Sequence, residues 1–211
     1  NPKHAIHIKE LVKGIAEIKI QDFTNVSLEE CIKRDKTRQN GVGEGVIRQT
    51  YNKWLRTIPR FNFDDSVLPR CIICDLDGTL ALPQGRDPYD ASTCETDLLN
   101  PTIAHIITVY RDYFCYGPFQ IIFVTGRMEK DRQPTINWLQ KNLVALNNFG
   151  LFMRQTGDMR KDAIIKKEIY DNYIKDQYHV FFVIDDRLSV CRMWYEQGLP
   201  LLKYGDPDED F

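Results

Sequence analysis

The chain has 211 residues, and its 28 lysines and arginines nearly balance its 30 aspartates and glutamates, which gives a formal net charge of -2. No global basic field is therefore available to attract nucleic acid, and any such contact has to be local. No apolar run approaches the length of a membrane span and no signal peptide opens the chain, which predicts a cytoplasmic protein without a membrane partner. The six scattered cysteines are typical of reduced intracellular proteins rather than of a disulfide framework.

The N-terminal part of the chain contains predicted helices and one predicted strand. Apolar spacing predicts a helix from His4 to Lys13, and alternation predicts a strand from Ala16 to Phe23. A capping box at Ser27 predicts a helix that continues to about Arg34, and a further helix is expected from Gly43 to Arg56. The stretch from Ile58 to Pro69 contains two prolines and little periodicity, so it is predicted to be a linker.

From Arg70 onward, predicted strands alternate with predicted helices. Strands are predicted at residues 71–74, 119–124, 151–154, 180–184 and 199–202, and helices at residues 101–114, 132–143, 160–174 and 188–197. This succession predicts an α/β fold with a parallel sheet and helices on both faces. The connections from Thr79 to Phe119 and from Arg127 to Leu151 hold one clear helix each, so only a minimal cap is expected over the sheet.

Three of the predicted strands end in side chains that can carry out chemistry. The first runs into Asp75 and Asp77, the second ends in Thr125 and Arg127, and the fourth ends in the pair Asp185–Asp186. In a parallel sheet these ends lie along one edge, so the side chains are expected to share one pocket. Four carboxylates there would repel one another unless a hard divalent cation such as Mg²⁺ compensated them. The pattern predicts metal-dependent acyl or phosphoryl transfer with a carboxylate nucleophile, and the arginine favours phosphoryl transfer.

The motifs also resemble those of a known family. Asp75-Leu76-Asp77-Gly78-Thr79 is similar to the first motif of the haloacid dehalogenase (HAD) superfamily, and Thr125, Lys161 and Asp185–Asp186 match its second, third and fourth motifs. A more specific resemblance is to the 3′-phosphatase domain of viral and bacterial polynucleotide kinase/phosphatase, and it covers Arg70 to Lys203. It depends on residues 85–90, Asp97, Asn100–Pro101, and residues 125–127, 155–162 and 184–187.

The resemblance implies a HAD-like (Rossmannoid) fold and a role for each site residue. The expected catalytic residues are Asp75 as the nucleophile, Asp77 as the general acid and base, Thr125 and Lys161. The expected substrate-binding residues are Arg86, Arg127 and Asp158. The expected Mg²⁺ ligands are Asp75, Asp77 through its main-chain carbonyl, Asp185 and Asp186. An alternative role for Asp158 is to cap the helix that begins near Arg160.

Other residues near this set are expected to be structural. Lys166 and Lys167 are interpreted as part of a solvated helix face. Tyr89 is interpreted as a core or surface anchor rather than as a stacking platform for a base.

The beginning of the chain resembles the last part of the P-loop kinase domain of the same family. No G-x-x-x-x-G-K-[ST] loop is present, so 5′-kinase activity is not expected and the upstream part of a kinase domain is expected to be missing. The predicted organisation is a kinase fragment at residues 1–57, a linker at 58–69 and a phosphatase domain at 70–211. The kinase part is also a possible route to an oligomer.

The resemblance implies a Mg²⁺-dependent enzyme of a bacterial or viral host cell that acts on nucleic-acid 3′ ends. It would remove a 3′-terminal phosphate from DNA or RNA through an aspartyl-phosphate, as part of nucleic-acid end healing. Two alternatives stay open. One is a HAD phosphatase of small phosphomonoesters such as nucleoside 3′-monophosphates, and the other is a nucleic-acid-binding module with a vestigial site.

Overall fold

A computed structural model of the chain describes residues 2–16, 25–55, 67–87, 89–113, 119–144, 146 and 148–206. The chain separates into two compact units, residues 1–57 and residues 58–211. Nearly all of the predicted strand from Ala16 to Phe23 and most of the predicted linker lie outside the described residues. Within the described ranges, no helix is both long and apolar enough to cross a membrane.

The first unit contains three helices, α1 (Pro2–Leu11), α2 (Leu28–Lys36) and α3 (Glu44–Trp54). The Ser27 hydroxyl accepts a hydrogen bond from the Glu30 backbone N–H at 3.2 Å, so the predicted cap of α2 is confirmed. The carboxylate of Asp35 accepts hydrogen bonds from the backbone N–H groups of Val42 at 3.0 Å and Gly43 at 2.8 Å. This buried aspartate therefore fixes the glycine-rich loop between α2 and α3.

The described residues of the second unit form seven strands and four α-helices. The strands are β1 (Arg70–Cys74), β2 (Ala81–Leu82), β3 (Leu98–Leu99), β4 (Phe119–Met128), β5 (Phe149–Arg154), β6 (His179–Asp185) and β7 (Leu201–Lys203). The helices are α4 (Pro101–Tyr113), α5 (Arg132–Asn142), α6 (Asp162–Ile169) and α7 (Leu188–Glu196). A π-helical turn at Tyr170–Ile174 prolongs α6, and short 3₁₀ turns lie at Cys94–Thr96 and Glu129–Asp131.

Five of these strands form one parallel sheet in the order β5-β4-β1-β6-β7. Successive residues of β1 point to opposite faces, so Ile72 packs into the core shared with α4 and α5 while Ile73 packs into the core shared with α6 and α7. Trp138 and Trp194 are fully buried, one in each core. The predicted α/β fold with helices on both faces is confirmed, and it is HAD-like.

The connection from β1 to α4 carries only a small cap. Strands β2 and β3 pair antiparallel as a two-stranded ribbon, and the 3₁₀ turn Cys94–Thr96 lies between them. At the centre of the main sheet, β1 lies between β4 and β6. The residues that follow these three neighbouring strands therefore meet at one edge of the sheet.

Candidate active site

A cavity of about 480 Å³ opens at this edge of the sheet. Every predicted site residue lines it except Arg86 and Asp158. Two groups of charged side chains border the cavity. The first is Asp75, Asp185 and Asp186 with Lys166, here called the carboxylate cluster. The second is Asp77, Asp97, Arg86 and Arg127, here called the arginine network.

The carboxylate cluster brings together side chains from the ends of β1 and β6. One oxygen of each of Asp75, Asp185 and Asp186 lies within 4.8 Å of the others. Asp75 and Asp185 are buried and Asp186 is half-buried. The Thr79 hydroxyl donates a hydrogen bond to Asp186 at 3.0 Å, which orients that carboxylate. The strand-end pattern predicts these three carboxylates together with Asp77, and the structure brings together only the three.

Gly78 makes room for the cluster. Its φ of +83° lies in a region that side chains other than glycine rarely adopt, and a Cβ at this position would overlap the Asp186 carboxylate. The glycine of the D-x-D-G-T motif therefore serves both the turn after β1 and the close approach of β6.

Lys166 supplies the cation of the cluster. Its ammonium group donates hydrogen bonds to Asp75 Oδ1 at 2.6 Å and to Asp185 Oδ2 at 2.9 Å, and its side chain is 2% exposed. Burial alone would lower the pKa of Lys166, but Asp185 and Asp75 outweigh it and raise that pKa, so the ammonium stays charged. The prediction that Lys166 belongs to a solvated helix face is therefore wrong.

Lys161, the residue predicted to be the third-motif lysine, lies elsewhere. It is exposed at the N-cap position of α6, where it lines the cavity, whereas the lysine that contacts Asp75 is Lys166. The apolar pattern of α6 indicates that Lys166, and not Lys161, is the buried lysine. Lys166 lies between Ile165 and Ile169, the buried residues of α6, and so shares the face that packs on the sheet.

The charges of the cluster fit a divalent cation. Burial raises the pKa of Asp75 well above its ordinary value; Lys166 opposes this rise, and Asp185 and Asp186 add to it. Burial and Asp185 likewise raise the pKa of Asp186. When all are ionised, three carboxylates and one ammonium leave a formal charge of -2. Carboxylate oxygens are ligands that Mg²⁺ prefers, so these residues suit that ion.

The arginine network holds the carboxylate of Asp77. Arg127 donates to Asp77 from Nε at 2.9 Å and from Nη2 at 2.7 Å, and Arg86 also bonds to it. Burial alone would raise the pKa of Asp77, but Arg127 and Arg86 outweigh it and lower that pKa, so the carboxylate is ionised. The Asp77 carboxylate therefore lies with the arginines rather than in the carboxylate cluster. Its expected main-chain contact with Mg²⁺ stays a prediction.

Asp97 holds both arginines, although the sequence analysis used it only as part of the family resemblance and gave it no role at the site. Its fully buried carboxylate accepts hydrogen bonds from Arg86 at 2.7 and 2.9 Å and from Arg127 at 3.0 Å. The two arginines expected to bind substrate are thus paired with two carboxylates, those of Asp77 and Asp97. Thr125 lies within β4 and is fully buried, and its hydroxyl accepts a hydrogen bond from the Arg127 backbone N–H at 3.2 Å.

A third group of charges joins the loops on the α6 side of the cavity. Asp162 pairs with Arg154 and accepts a hydrogen bond from Arg187 at 2.9 Å. Arg154 also donates to the carbonyls of Gly126 at 3.0 Å and Asp158 at 2.8 Å. Asp162, to which the sequence interpretation gave no role of its own, therefore links the end of β5 with the segment after β6, and Arg154 extends this link to β4.

Asp158 does not line the cavity. Its carboxylate accepts a hydrogen bond from the Arg160 backbone N–H at 3.0 Å and further bonds from the Arg160 guanidinium. These bonds lower the pKa of Asp158 to about 2. The structure thus places Asp158 with Arg160, and a direct contact between Asp158 and substrate stays a prediction.

Comparisons with known proteins identify the family to which this chain belongs. Residues 69–208 match the family model described as the polynucleotide kinase PNKP phosphatase domain. A relative from Autographa californica nuclear polyhedrosis virus, named as a bifunctional polynucleotide kinase/RNA ligase, is 33% identical over 181 residues. The match covers 83% of this chain and 26% of the relative, so the chain spans about a quarter of that protein's length.

Two solved structures, of the Pnkp1/Rnl/Hen1 RNA repair complex and of the Pnkp1/Rnl/Hen1 complex, contain similar chains. These are 31% and 33% identical to this chain, with TM-scores of 0.64 and 0.63. The alignments cover 98% of this chain and 71% and 70% of the chains in those structures. With the family model spanning the whole cavity, the chain belongs to the polynucleotide kinase/phosphatase family and carries its HAD-type phosphatase domain.

Proposed function

We propose that the second unit is a Mg²⁺-dependent polynucleotide 3′-phosphatase that converts a 3′-terminal phosphate of DNA or RNA into a 3′-hydroxyl. The observation that carries this proposal is the carboxylate cluster. In a domain of this family, a buried carboxylate at the end of β1 lies against a buried lysine and within 4.8 Å of two further carboxylates. Mg²⁺ held by Asp75, Asp185 and Asp186 would neutralise charge on the phosphate.

Asp75 is the nucleophile in this proposal. A carboxylate oxygen of Asp75 bonds to phosphorus as the bond from phosphorus to the 3′-oxygen breaks, and water then hydrolyses the aspartyl-phosphate. Lys166, 2.6 Å from Asp75 Oδ1, favours the ionised carboxylate and fixes its direction. The buried environment lets this fixed charge act more strongly than it would in water.

Asp77 is the general acid that protonates the leaving 3′-oxygen. An acid must hold a proton, whereas the two arginines lower the pKa of Asp77. We infer that the arginines turn part of their hydrogen bonding from Asp77 to the incoming phosphate while Asp97 keeps them in place. Once those contacts weaken, burial becomes the dominant influence and raises the pKa of Asp77. One movement would then bind the phosphate and prepare the acid.

The surroundings of the cavity favour a polymer end over an enclosed metabolite. The cap between β1 and α4 is limited to a two-stranded ribbon and a 3₁₀ turn. Cationic side chains of Arg160, Lys161 and Arg187 line the cavity beyond the carboxylate cluster. Arg160 is paired with Asp158 and Glu168, and Arg187 is paired with Asp162. Among the described residues, Lys161 is therefore the lining cation of these three that has no ion pair and can attract a phosphodiester backbone.

Release of phosphate from matched oligonucleotides tests this function. We expect Mg²⁺-dependent release from a 3′-phosphorylated oligonucleotide, none from its 5′-phosphorylated counterpart, and none from either with Asp75→Asn. Faster turnover of a nucleoside 3′-monophosphate than of the oligonucleotide would favour a small-molecule phosphatase instead. Oligonucleotide binding that Asp75→Asn leaves unchanged, without release of phosphate by the wild type, would favour a nucleic-acid-binding module with a vestigial site.

The role of Asp77 has its own test. Loss of a general acid costs about 10²–10⁴-fold in rate where the leaving group needs a proton. We therefore expect Asp77→Asn to slow 3′-phosphate removal far more than it slows hydrolysis of p-nitrophenyl phosphate, whose leaving group departs without one. Equal losses on both substrates would remove Asp77 from this role.

We also propose that residues 1–57 are the C-terminal part of a P-loop kinase domain. Support comes from the resemblance of this segment to that domain and from the alignments to the Pnkp1 complexes, which cover 98% of the chain. Assay of phosphate transfer from ATP to a 5′-hydroxyl oligonucleotide tests the accompanying expectation that this chain lacks 5′-kinase activity.

A further inference from the structure

Two large, mostly exposed apolar side chains line the cavity beside its charged residues, in addition to the half-buried Met128. Tyr89 is 78% exposed and Met159 is 76% exposed, and both belong to loops. Tyr89 comes from the cap between β2 and β3, and Met159 from the segment between β5 and α6. Neither belongs to a core cluster of the sheet. Apolar surface kept beside a polar cavity suits a ligand that is both apolar and charged.

The segment that presents Tyr89 is fixed to the arginine network. Arg86 Nη1 donates hydrogen bonds to the carbonyls of Asp87 and Asp90, at 3.3 Å each. The Asp87 carboxylate accepts a hydrogen bond from the Tyr89 backbone N–H at 2.8 Å, and the Asp87 carbonyl accepts one from the Asp90 backbone N–H at 3.0 Å. The same guanidinium also bonds to Asp77. The backbone of Tyr89 is therefore held at a defined place relative to the site, and only the side-chain rotamer has to be ordered on binding.

We propose that Tyr89 and Met159 form a base rim, on which the base of the 3′-terminal nucleotide rests while its phosphate enters the carboxylate cluster. The inference rests on the proposed 3′-phosphatase function and names how the substrate is recognised. A nucleobase is flat and has two π-faces, so it stacks on an aromatic ring whatever its sequence. A thioether makes favourable contacts with aromatic rings, which suits Met159 to the same base.

The base rim revises the sequence interpretation of Tyr89. Exposed tyrosines are ordinary on protein surfaces, and nothing in the spacing around Tyr89 distinguishes it from Tyr113, which is 77% exposed on α4. The difference is one of position, because Tyr89 lines the cavity and Tyr113 does not. Tyr113 is therefore a matched control.

Two 3′-phosphorylated oligonucleotides that differ only in the last nucleotide provide the test. One ends in a normal nucleotide and the other in an abasic residue. Stacking of one base is expected to give the first substrate an advantage of about tenfold to a hundredfold in kcat/KM, expressed mainly in KM. We expect Tyr89→Ala to abolish this advantage, Tyr89→Phe to keep it, Met159→Ala to reduce it and Tyr113→Ala to leave it as in the wild type.

A second measurement does not need turnover. In the Asp75→Asn background, binding of a 3′-phosphorylated oligonucleotide that ends in 2-aminopurine should quench its fluorescence through stacking. The quench should persist with Tyr89→Phe and disappear with Tyr89→Leu, which keeps an apolar side chain but removes the ring.

Specific outcomes would overturn the inference. They are a wild type that does not distinguish the two oligonucleotides, a Tyr89→Ala variant that keeps the full advantage, and a loss of equal size on both substrates. A wild type that releases phosphate from neither oligonucleotide would instead overturn the proposed function, and this inference with it. The two failures are therefore distinguishable.

Discussion

The carboxylate cluster and the arginine network border the same cavity and use the same kinds of side chain, but their charge balance differs. The cluster has three carboxylates and one ammonium, whereas the network has two carboxylates and two guanidinium groups. The cluster is formally short of two positive charges, and the network is neutral. A divalent cation completes the first, and an anion can enter the second only by displacing a carboxylate from its arginines.

This difference gives each group a separate part of the reaction. The cluster is formed by the ends of β1 and β6 and by α6, and in the proposed reaction it would take up a cation before a phosphate approaches. The arginines of the network are paired with carboxylates and would therefore be ordered before substrate binds. Their pairing lowers the pKa of Asp77, and in the proposed reaction this carboxylate would stay ionised until a phosphate competes for the arginines.

The largest expected effect comes from the only cation of the cluster. Lys166→Met leaves two buried carboxylates without their ion pair, and breaking a buried pair typically costs about 3–5 kcal/mol. We expect a fall in stability of about that size and, separately, a loss of about 10²–10³-fold in phosphate release, since removal of one fixed group that acts on the reacting charge typically costs this much. Lys161→Met is the matched control, because this exposed lysine contacts neither carboxylate, and a loss of about threefold or less is expected there. A larger loss with Lys161→Met than with Lys166→Met would reverse the assignment of the two lysines.

The next effect comes from the space that Gly78 leaves for Asp186. Gly78→Ala adds a Cβ that overlaps the carboxylate and also puts a side chain at positive φ, which costs about 1–2 kcal/mol. Gly157→Ala shares the backbone cost, because its φ is +87°, but nothing lies within 4 Å of its Cβ. We expect a larger fall in thermal stability with Gly78→Ala than with Gly157→Ala, and a loss of about a hundredfold in Mg²⁺-dependent activity with Gly78→Ala alone. Equal activity losses would mean that backbone strain, and not the cluster, is responsible.

The sequence predicts the sheet well because apolar runs determine which segments are buried. Each of the four predicted helices from Arg70 onward is present, and so is each predicted strand. The residues at which the strands end are less predictable. Strand β4 continues past Val124 to Met128, because Thr125 and Met128 still pair with β5 across an irregularity in register. The polar residues Gly126 and Arg127 conceal this continuation from a pattern based on apolar residues.

The site is predictable where it follows strand ends and unpredictable where it depends on side-chain direction. Asp75, Asp185 and Asp186 meet because their strands are neighbours in a parallel sheet. The lysine that reaches these carboxylates is determined by the rotation of α6 about its axis, and packing against the sheet sets that rotation. Asp97 comes from a short ribbon without periodicity, so its contact with both arginines could not be predicted from spacing.

A smaller effect is expected when the neutral arginine network loses one charge. Asp97→Asn leaves two guanidinium groups with a single carboxylate, so both should hold Asp77 more firmly and give it up less readily to a phosphate. We expect a loss of about tenfold to thirtyfold in kcat, and a fall in stability of about 2 kcal/mol, since hydrogen bonds to charged groups contribute about 1.5–3 kcal/mol each.

Glu129→Gln is the control for the loss of an arginine partner. It removes the charge from a partly exposed pair with Arg132 and should cost less than about 1 kcal/mol. Steady-state rates and urea unfolding measure both effects. An Asp97→Asn variant with unchanged kcat would show that the arginines do not depend on their anchor.

The smallest expected effect separates the two groups by their response to pH and metal. Because the folded state raises the pKa of Asp186, its contribution to stability is fully present below the pKa of an unfolded carboxyl and is lost as pH rises through the folded value. Without Mg²⁺, Asp186→Asn should therefore become more stable relative to wild type as pH rises from below the ordinary carboxyl pKa of 3.8 through the raised pKa of the folded state. Mg²⁺ at tenfold above its Kd should stabilise the wild type at pH 8 by about 1.4 kcal/mol and Asp186→Asn by much less.

For Asp77, whose pKa is lowered, the sign is opposite: its contribution to stability is present above the unfolded pKa and is lost as pH falls through the folded value. An Asp77→Asn variant should accordingly lose stability relative to wild type as pH rises from 3 to 6, and it should keep the response to Mg²⁺. Urea unfolding of both variants, with Mg²⁺ and with EDTA, measures these differences. A Mg²⁺ response lost in Asp77→Asn and kept in Asp186→Asn would place the cation in the arginine network and break the division between the two groups.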